Sequence, residues 1–527
     1  METKRVLRTS GTILAAAALL ISGCTSGSPA GSGSSPPATG KRESGVSKVL
    51  QPLPEQIPDS LKPYYEQKLS WRDCGAPGFQ CATLRAPLDY EKPDPAEDLK
   101  LAVTRKKADG SGESLGSLMV NPGGPGGSAV DYVQMAAGIG FPAEVRDRYD
   151  IVGMDPRGVA RSEPIECLTG DQMDQHTQVD LTPDDQGEID ELTSAYEKFA
   201  EGCKKQADKL LGHVSTIEAA RDMDVLREVL GDKKLTYAGF SYGTFLGATY
   251  AGLFPSRSGR LVLDGAMDPS LPAEQLNRDQ TAGFHTAFTA FAEDCVKRSK
   301  CPLGTKSAQD AGKRLTAFFH QVDKEPLETG EKRKLGESLA ATGVFQAMYN
   351  ESLWGMLRDA LTDAKKGDGA ALLSMADEYN QRDADGSYGN IMYANTAINC
   401  LDQPAAFTSP AEVKKAVPSF EKVSPIFGRN FAWAALNCAG WETKPTGEPN
   451  RIEAKGADPI LVIGTTRDPA TPYIWSEALA DQLDSATLLT YEGDGHTAYM
   501  RGGPCVDSAV NTYLLEGKTP KASKRCK

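Results

Sequence analysis

Histidine, basic charge and long apolar runs are all scarce in this chain, and each scarcity excludes something. Only five histidines occur in 527 residues. No two cysteines stand as Cys-x-x-Cys, and no histidine lies close enough to complete a zinc set. Acidic residues outnumber basic ones, 71 to 58, for a formal net charge of −13. That balance argues against nucleic acid or an anionic lipid surface as an electrostatic partner. After the first residues, no apolar run approaches the ~20 residues that cross a bilayer as a helix. A glycine-rich loop is present, but it lacks the Gly-Lys-Ser/Thr ending and the G-x-G-x-x-G spacing of nucleotide cradles. There is no internal repeat.

The amino-terminal segment has the layout of an export signal. Lys4, Arg5 and Arg8 precede an apolar run from Ile13 to Ile21, of secretory length and too short to span a membrane. The run closes as Leu20-Ile21-Ser22-Gly23-Cys24, which resembles a bacterial lipobox and predicts cleavage before a lipidated Cys24. Removing residues 1–23 takes away Lys4, Arg5 and Arg8 against Glu2, so the mature chain is more acidic still, near −15. From Thr25 to Gly45 the composition is almost wholly Ser, Gly, Pro and Ala, which buries no apolar area and behaves as a tether. The expectation is a protein held on the extracellular face of the cell membrane through Cys24.

Setting Cys24 aside leaves ten cysteines, an even number suited to an oxidising compartment. They fall into neighbours along the chain, and pairing in sequence order is expected: Cys74 with Cys81, Cys167 with Cys203, Cys295 with Cys301, Cys400 with Cys438, and Cys505 with Cys526.

Short apolar runs bounded by turn residues recur at Leu99–Thr104, Ser117–Asn121, Tyr149–Asp155, Leu235–Gly239, Arg260–Asp264, Pro459–Gly464 and Ala486–Tyr491. Helical stretches separate them, which implies a mostly parallel α/β sheet. Between Asp264 and Pro459 the strand pattern stops. Helical segments take over, among them Gln280–Lys297, Ala308–Val322, Gly343–Thr362 and Ala370–Tyr379. The organisation read from this is a signal peptide (1–23), a flexible tether (24–65), the first part of a sheet domain (66–265), a helical lid (266–455), and the rest of the sheet domain (456–527).

Gly239-Phe240-Ser241-Tyr242-Gly243 follows a strand-like run and opens a helix-compatible one, the setting of a nucleophile elbow. Small residues are needed two positions either side of Ser241 because larger ones would strike the neighbouring strand and helix. A serine needs a base. His176 and His213 lie upstream of the serine, and His285 and His320 fall inside the helical insertion. His496, in Glu492-Gly493-Asp494-Gly495-His496-Thr497, occupies a loop at a strand's carboxyl end, where α/β active sites collect. Asp468 follows the strand Ile460–Gly464 and completes the order Ser, Asp, His of α/β-hydrolases. Asp264 is the rival acid, and Asp494 is too near His496 in sequence. Asn121-Pro122-Gly123-Gly124-Pro125-Gly126-Gly127-Ser128 supplies candidate oxyanion donors at Gly123 and Gly124, with the Tyr242 N–H as the other. No cofactor or metal is implied.

Taken with Asp155-Pro156-Arg157-Gly158 and Ser162, these motifs resemble the tripeptidyl aminopeptidases of actinobacteria, relatives of the proline iminopeptidases, from about Trp71 to Cys526. The resemblance implies an α/β-hydrolase fold with a large helical lid, and release of short peptides, often tripeptides, from free amino termini. Pro122 stands where the iminopeptidases' loop usually begins with His, which fits the tripeptidyl branch. A charged terminal amine calls for a carboxylate, and Asp402, beside Cys400, is the candidate. Arg157 is expected to pair with a carboxylate as a structural support, and Asp222, Asp224 and Arg227 read as a charged helix face. Two other functions fit the same features: an esterase or lipase with the same triad, and a lipoprotein that binds peptides without turnover.

Overall fold

The structure, a computed structural model, describes residues 48–527. The expected signal peptide, Cys24 and the first part of the expected tether lie outside the described residues. The later part of the expected tether, from Lys48 to Tyr65, is corrected: there the chain is packed. Leu50 N–H donates to Arg451 O (2.9 Å) and Leu53 N–H to Leu253 O (2.9 Å), and Leu61, Tyr64 and Tyr65 are buried. These apolar residues follow the low-complexity stretch too closely for composition to separate them from it.

The described residues contain one ten-stranded sheet in the order β1-β2-β3-β5-β4-β6-β7-β8-β9-β10. The strands are β1 (Arg72–Asp73), β2 (Phe79–Ala86), β3 (Leu99–Lys106), β4 (Ser117–Asn121), β5 (Asp150–Met154), β6 (Leu235–Phe240), β7 (Ser258–Asp264), β8 (Ile460–Arg467), β9 (Ala486–Asp494) and β10 (Lys524–Cys526). β1, β2, β3 and β5 pair antiparallel in turn, and every pairing from β5 to β10 is parallel. This is the α/β-hydrolase fold with its mostly parallel sheet. The central strands are continuous apolar runs because helices cover both faces: Leu261 to Leu263 and Ile460 to Ile463 are wholly buried. β2 is absent from the sequence expectation because Gln80, Thr83 and Arg85 interrupt its apolar positions, as befits a strand near the exposed edge.

Between Asp264, which ends β7, and Ile460, which begins β8, the chain leaves the sheet and forms the helical lid. The lid's helices include Ala273–Val296, Ala308–Lys324, Glu337–Met348, Trp354–Ala364, Ala370–Asn380, Ile391–Asp402 and Pro410–Val423. The single helix expected over Gly343–Thr362 is broken at Tyr349–Leu353. The helix Gln186–Leu211, which precedes β6, also joins the lid: Ile189, Leu192 and Tyr196 pack with Phe407, Val413, Phe420 and Trp433. The ten cysteines pair in sequence order. Among the described residues no helix is long and apolar enough to cross a membrane.

Asp222, Asp224 and Arg227, expected as a charged helix face, form a buried one. Fully buried Arg157 donates through Nε and Nη2 to the Asp222 carboxylate at 2.8 Å each, and through its remaining N–H groups to the carbonyls of Pro87, Leu88 and His213. Tyr90 adds a hydroxyl to Asp222 at 2.7 Å, while Asp224 accepts from Arg227, Arg257, Tyr65 and Tyr250. A pattern of charges at helical spacing looks the same whether its partners are water or distant arginines, so the burial was not legible. Asp222→Ala, which strands a buried guanidinium, is expected to lower the unfolding free energy by about 3–5 kcal/mol. Asp131→Ala, which breaks the exposed pair with Arg161, should cost less than about 1 kcal/mol. Guanidinium chloride unfolding compares the two.

Candidate active site

β6 ends at Phe240, and the helix Tyr242–Leu253 begins two residues later, so Ser241 must turn the chain alone. It does so at φ 56°, ψ −125°, a conformation non-glycine residues rarely adopt. The flanking glycines are required by space. A Cβ on Gly239 would lie 2.3 Å from Gly243 O, and one on Gly243 would lie 2.7 Å from Asn121 O on β4. The strained turn lifts the Ser241 side chain to the carboxyl rim of the sheet, partly exposed, while its N–H donates to Asp264 O at 2.9 Å.

β8 ends in the turn that carries Asp468, whose side chain is wholly buried. Its Oδ1 accepts the N–H groups of Ala470 (3.0 Å) and Thr471 (2.9 Å), and its Oδ2 accepts that of Thr497 (3.1 Å). His496 Nδ1 lies 2.8 Å from Oδ1 and 3.0 Å from Oδ2. A carboxylate acting only as acceptor fixes the tautomer, placing the proton on Nδ1 and leaving Nε2 as a base. The same stretch of β7 meets both other members. Asp264 O receives the Ser241 N–H, and a Cβ on the next residue, Gly265, would lie 3.3 Å from His496 Cε1. Among the hydrogen bonds of the described residues none joins Ser241 Oγ to the imidazole. Such bonds often tighten only in the substrate complex.

Asp264, the rival acid, binds the backbone beyond the histidine instead. Its carboxylate accepts the N–H groups of Ala498 (3.0 Å) and Tyr499 (2.7 Å), and burial pushes its pKa up to about 6. Of the other histidines, His176 is packed against Phe199 and Tyr196, with burial lowering its pKa to about 4. His213 pairs with Glu218 and His285 with Ser424.

The glycine-rich loop runs beneath the elbow. Gly123 sits at φ 95°, and a Cβ there would lie 2.4 Å from Phe240 O and 2.9 Å from Ser241 Cβ. Its N–H, however, donates to Asn121 Oδ1 at 2.9 Å, so the expected donor role of Gly123 is corrected: its part is to let the loop approach. Gly124 N–H has no such partner among the described residues. Tyr242 N–H, in the first turn of its helix, has no intrahelical acceptor. The signal that separates Gly123 from Gly124 is local: Asn121 stands two residues before Gly123, the spacing at which an asparagine side chain closes a turn on the backbone N–H.

Asp402 is also corrected. It is buried at the end of its lid helix, and both oxygens are taken by Thr216, one by the N–H at 2.7 Å and the other by the hydroxyl, which in turn meets the Tyr242 hydroxyl. No face remains for a substrate amine. Burial pushes its pKa up to about 7. A carboxyl with a raised folded pKa favours the native state fully below its ordinary value near 4, and that contribution is lost as pH rises through 7. Asp264 acts in the same direction up to about 6. Asp402→Asn keeps an acceptor for Thr216 N–H without the charge. The variant should therefore lose less stability between pH 4 and 8 than the native chain, by on the order of 3 kcal/mol, in denaturant unfolding at each pH.

Comparison with known proteins places this geometry. A family model described as TAP-like protein matches residues 424–526. Serine protease Hip1 of Mycobacterium tuberculosis is 36% identical over 493 residues, covering 88% of this chain and 92% of that protein. Carboxylesterase B of the same organism is 35% identical over 453 residues, covering 85% and 86%. Tripeptidyl aminopeptidase of Streptomyces lividans is 32% identical over 489 residues, covering 87% and 86%. With near full-length identity above 30% to these proteins, and a serine elbow beside a carboxylate-held histidine, the chain belongs to the tripeptidyl aminopeptidase family of α/β-hydrolase serine hydrolases.

Proposed function

We propose that this serine hydrolase is an exported exopeptidase, lipid-anchored on Cys24, that releases short peptides, tripeptides in the main, from free amino termini. The observation that carries the chemistry is His496 Nδ1 held by buried Asp468 at the rim where Ser241 turns the chain. His496 Nε2 takes the Ser241 proton as Oγ attacks the peptide carbonyl, and Asp468 stabilises the imidazolium. Gly124 and Tyr242 N–H groups receive the oxyanion, the second with the positive end of a helix behind it. The imidazolium returns its proton to the leaving amine, and a water activated by the same ring hydrolyses the acyl-enzyme.

The exopeptidase reading draws on the name of the Streptomyces relative and on a lid that touches both the glycine-rich loop and the histidine loop. The anchor draws on the n-region, the short apolar run and the lipobox-like residues before Cys24. Carboxylesterase B among the relatives favours ester hydrolysis as a second reading, since a shared triad does not fix the leaving group.

A panel of chromogenic peptides of one to four residues, each with a free or blocked amine, separates the two. The exopeptidase reading expects turnover only with the free amine and a maximum at three residues. Turnover indifferent to blocking would overturn it. Ser241→Ala should reduce kcat by roughly 10⁴-fold or more in either case.

A further inference from the structure

The lid is broken beside the catalytic loop. The helix Glu337–Met348 stops, a 3₁₀ turn follows at Glu351–Leu353 with Asn350 Oδ1 accepting Ser352 N–H at 3.0 Å, and a new helix starts at Trp354. A carbonyl at a helix carboxyl end has no intrahelical donor. Here the Tyr349 carbonyl accepts the backbone N–H of His496 at 2.8 Å. The close approach needs a glycine next door: Gly495 lies at φ 84°, and a Cβ there would sit 2.8 Å from Tyr349 O.

The side chain of Tyr349 meets the imidazole as well. The rings stand perpendicular, with centroids 5.4 Å apart and an interplanar angle of 89°. Phe284 at 5.8 Å and Tyr379 at 6.0 Å hold the tyrosine ring from the lid side. A second tie joins the same two segments. Arg501 donates through Nη2 to Thr497 O at 2.6 Å and pairs through Nη1 with Glu351 at 3.7 Å.

We infer that Tyr349 is a positioning residue for His496, through which the lid aligns the catalytic base. The Asp468 carboxylate holds the imidazole at Nδ1, which leaves the ring free to shift with its backbone and into the space at its other edge. Tyr349 removes this freedom twice, by fixing the backbone at 496 and by closing the space beside the ring. General-base catalysis is steeply sensitive to such alignment. The inference rests on the assignment of His496 as the base.

The test uses diisopropyl fluorophosphate, a probe with no peptide portion to engage the lid. Ser241 Oγ displaces its fluoride and passes its proton to His496. Tyr349→Leu is expected to slow labelling, and kcat on a peptide substrate, by about ten-fold, with KM changed less than about two-fold. Both variants keep the backbone carbonyl, and Tyr349→Phe, which also keeps the ring, should retain most of the native rate. Arg501→Met, which leaves the lid interior untouched, should slow labelling by about three-fold through the second tie. Thermal unfolding identifies variants that fold, and if Tyr349→Leu does not fold, Arg501→Met decides. Labelling of Tyr349→Leu and Arg501→Met at the native rate, with any loss confined to KM, would overturn the inference and make Tyr349 a substrate contact. Failure of the native protein to label at Ser241 would instead overturn the assignment of the triad.

Discussion

One buried carboxylate organises the site. Asp468 has no solvent of its own, so its charge is balanced by the donors around it: three backbone N–H groups and the His496 ring. An acceptor so saturated is rigid, and it imposes one tautomer on the histidine. Asp264 repeats the device one strand away, taking the N–H groups of Ala498 and Tyr499. The loop that carries the base therefore hangs from the ends of β7 and β8 by two carboxylates. This arrangement costs solvation free energy at both and fixes the backbone on either side of Thr497.

The lid belongs to this machinery in more than one place. Its helix Ile391–Asp402 packs on the glycine-rich loop, where a Cβ on Gly126 would meet Ala394 at 3.0 Å and Asn395 donates to Pro125 O at 3.1 Å. The same helix ends in Asp402, which holds Thr216 and through it the hydroxyl of Tyr242. The break at Tyr349 supports the histidine loop. The lid is thus joined at once to the glycine-rich loop, to the elbow's helix and to the histidine loop.

Much of the site was readable because the features it needs are local. A serine between two glycines after an apolar run and before a helix reads as an elbow, and the strand ends that carry Asp468 and His496 are marked by the apolar runs before them. Cysteine pairing was legible for the same reason, since partners are neighbours along the chain. The failure at Gly123 is local, a turn closed by Asn121 two residues before it, and the failures over buried charge are non-local. Asp222, Asp224 and Arg227 read only as a charged helix face because Arg157 and Arg257, which pair with the two carboxylates, and the three tyrosines that donate to them are scattered from residue 65 to 257. Asp402 read as a substrate ligand because its partner, Thr216, is 186 positions away.

From the amino-acid order alone come the parallel sheet interrupted by a helical insertion and the candidate nucleophile, base and acid that the strand ends bring to one rim. Each depends on hydrophobic periodicity or on residues within one turn of each other, which the chain cannot rearrange. Three-dimensional packing alone decided which carboxylates lose their water, and that Tyr349 reaches the histidine. Those outcomes turn on hydrogen-bond partners brought from distant segments, and a buried polar group is defined by its partners rather than by its neighbours in sequence.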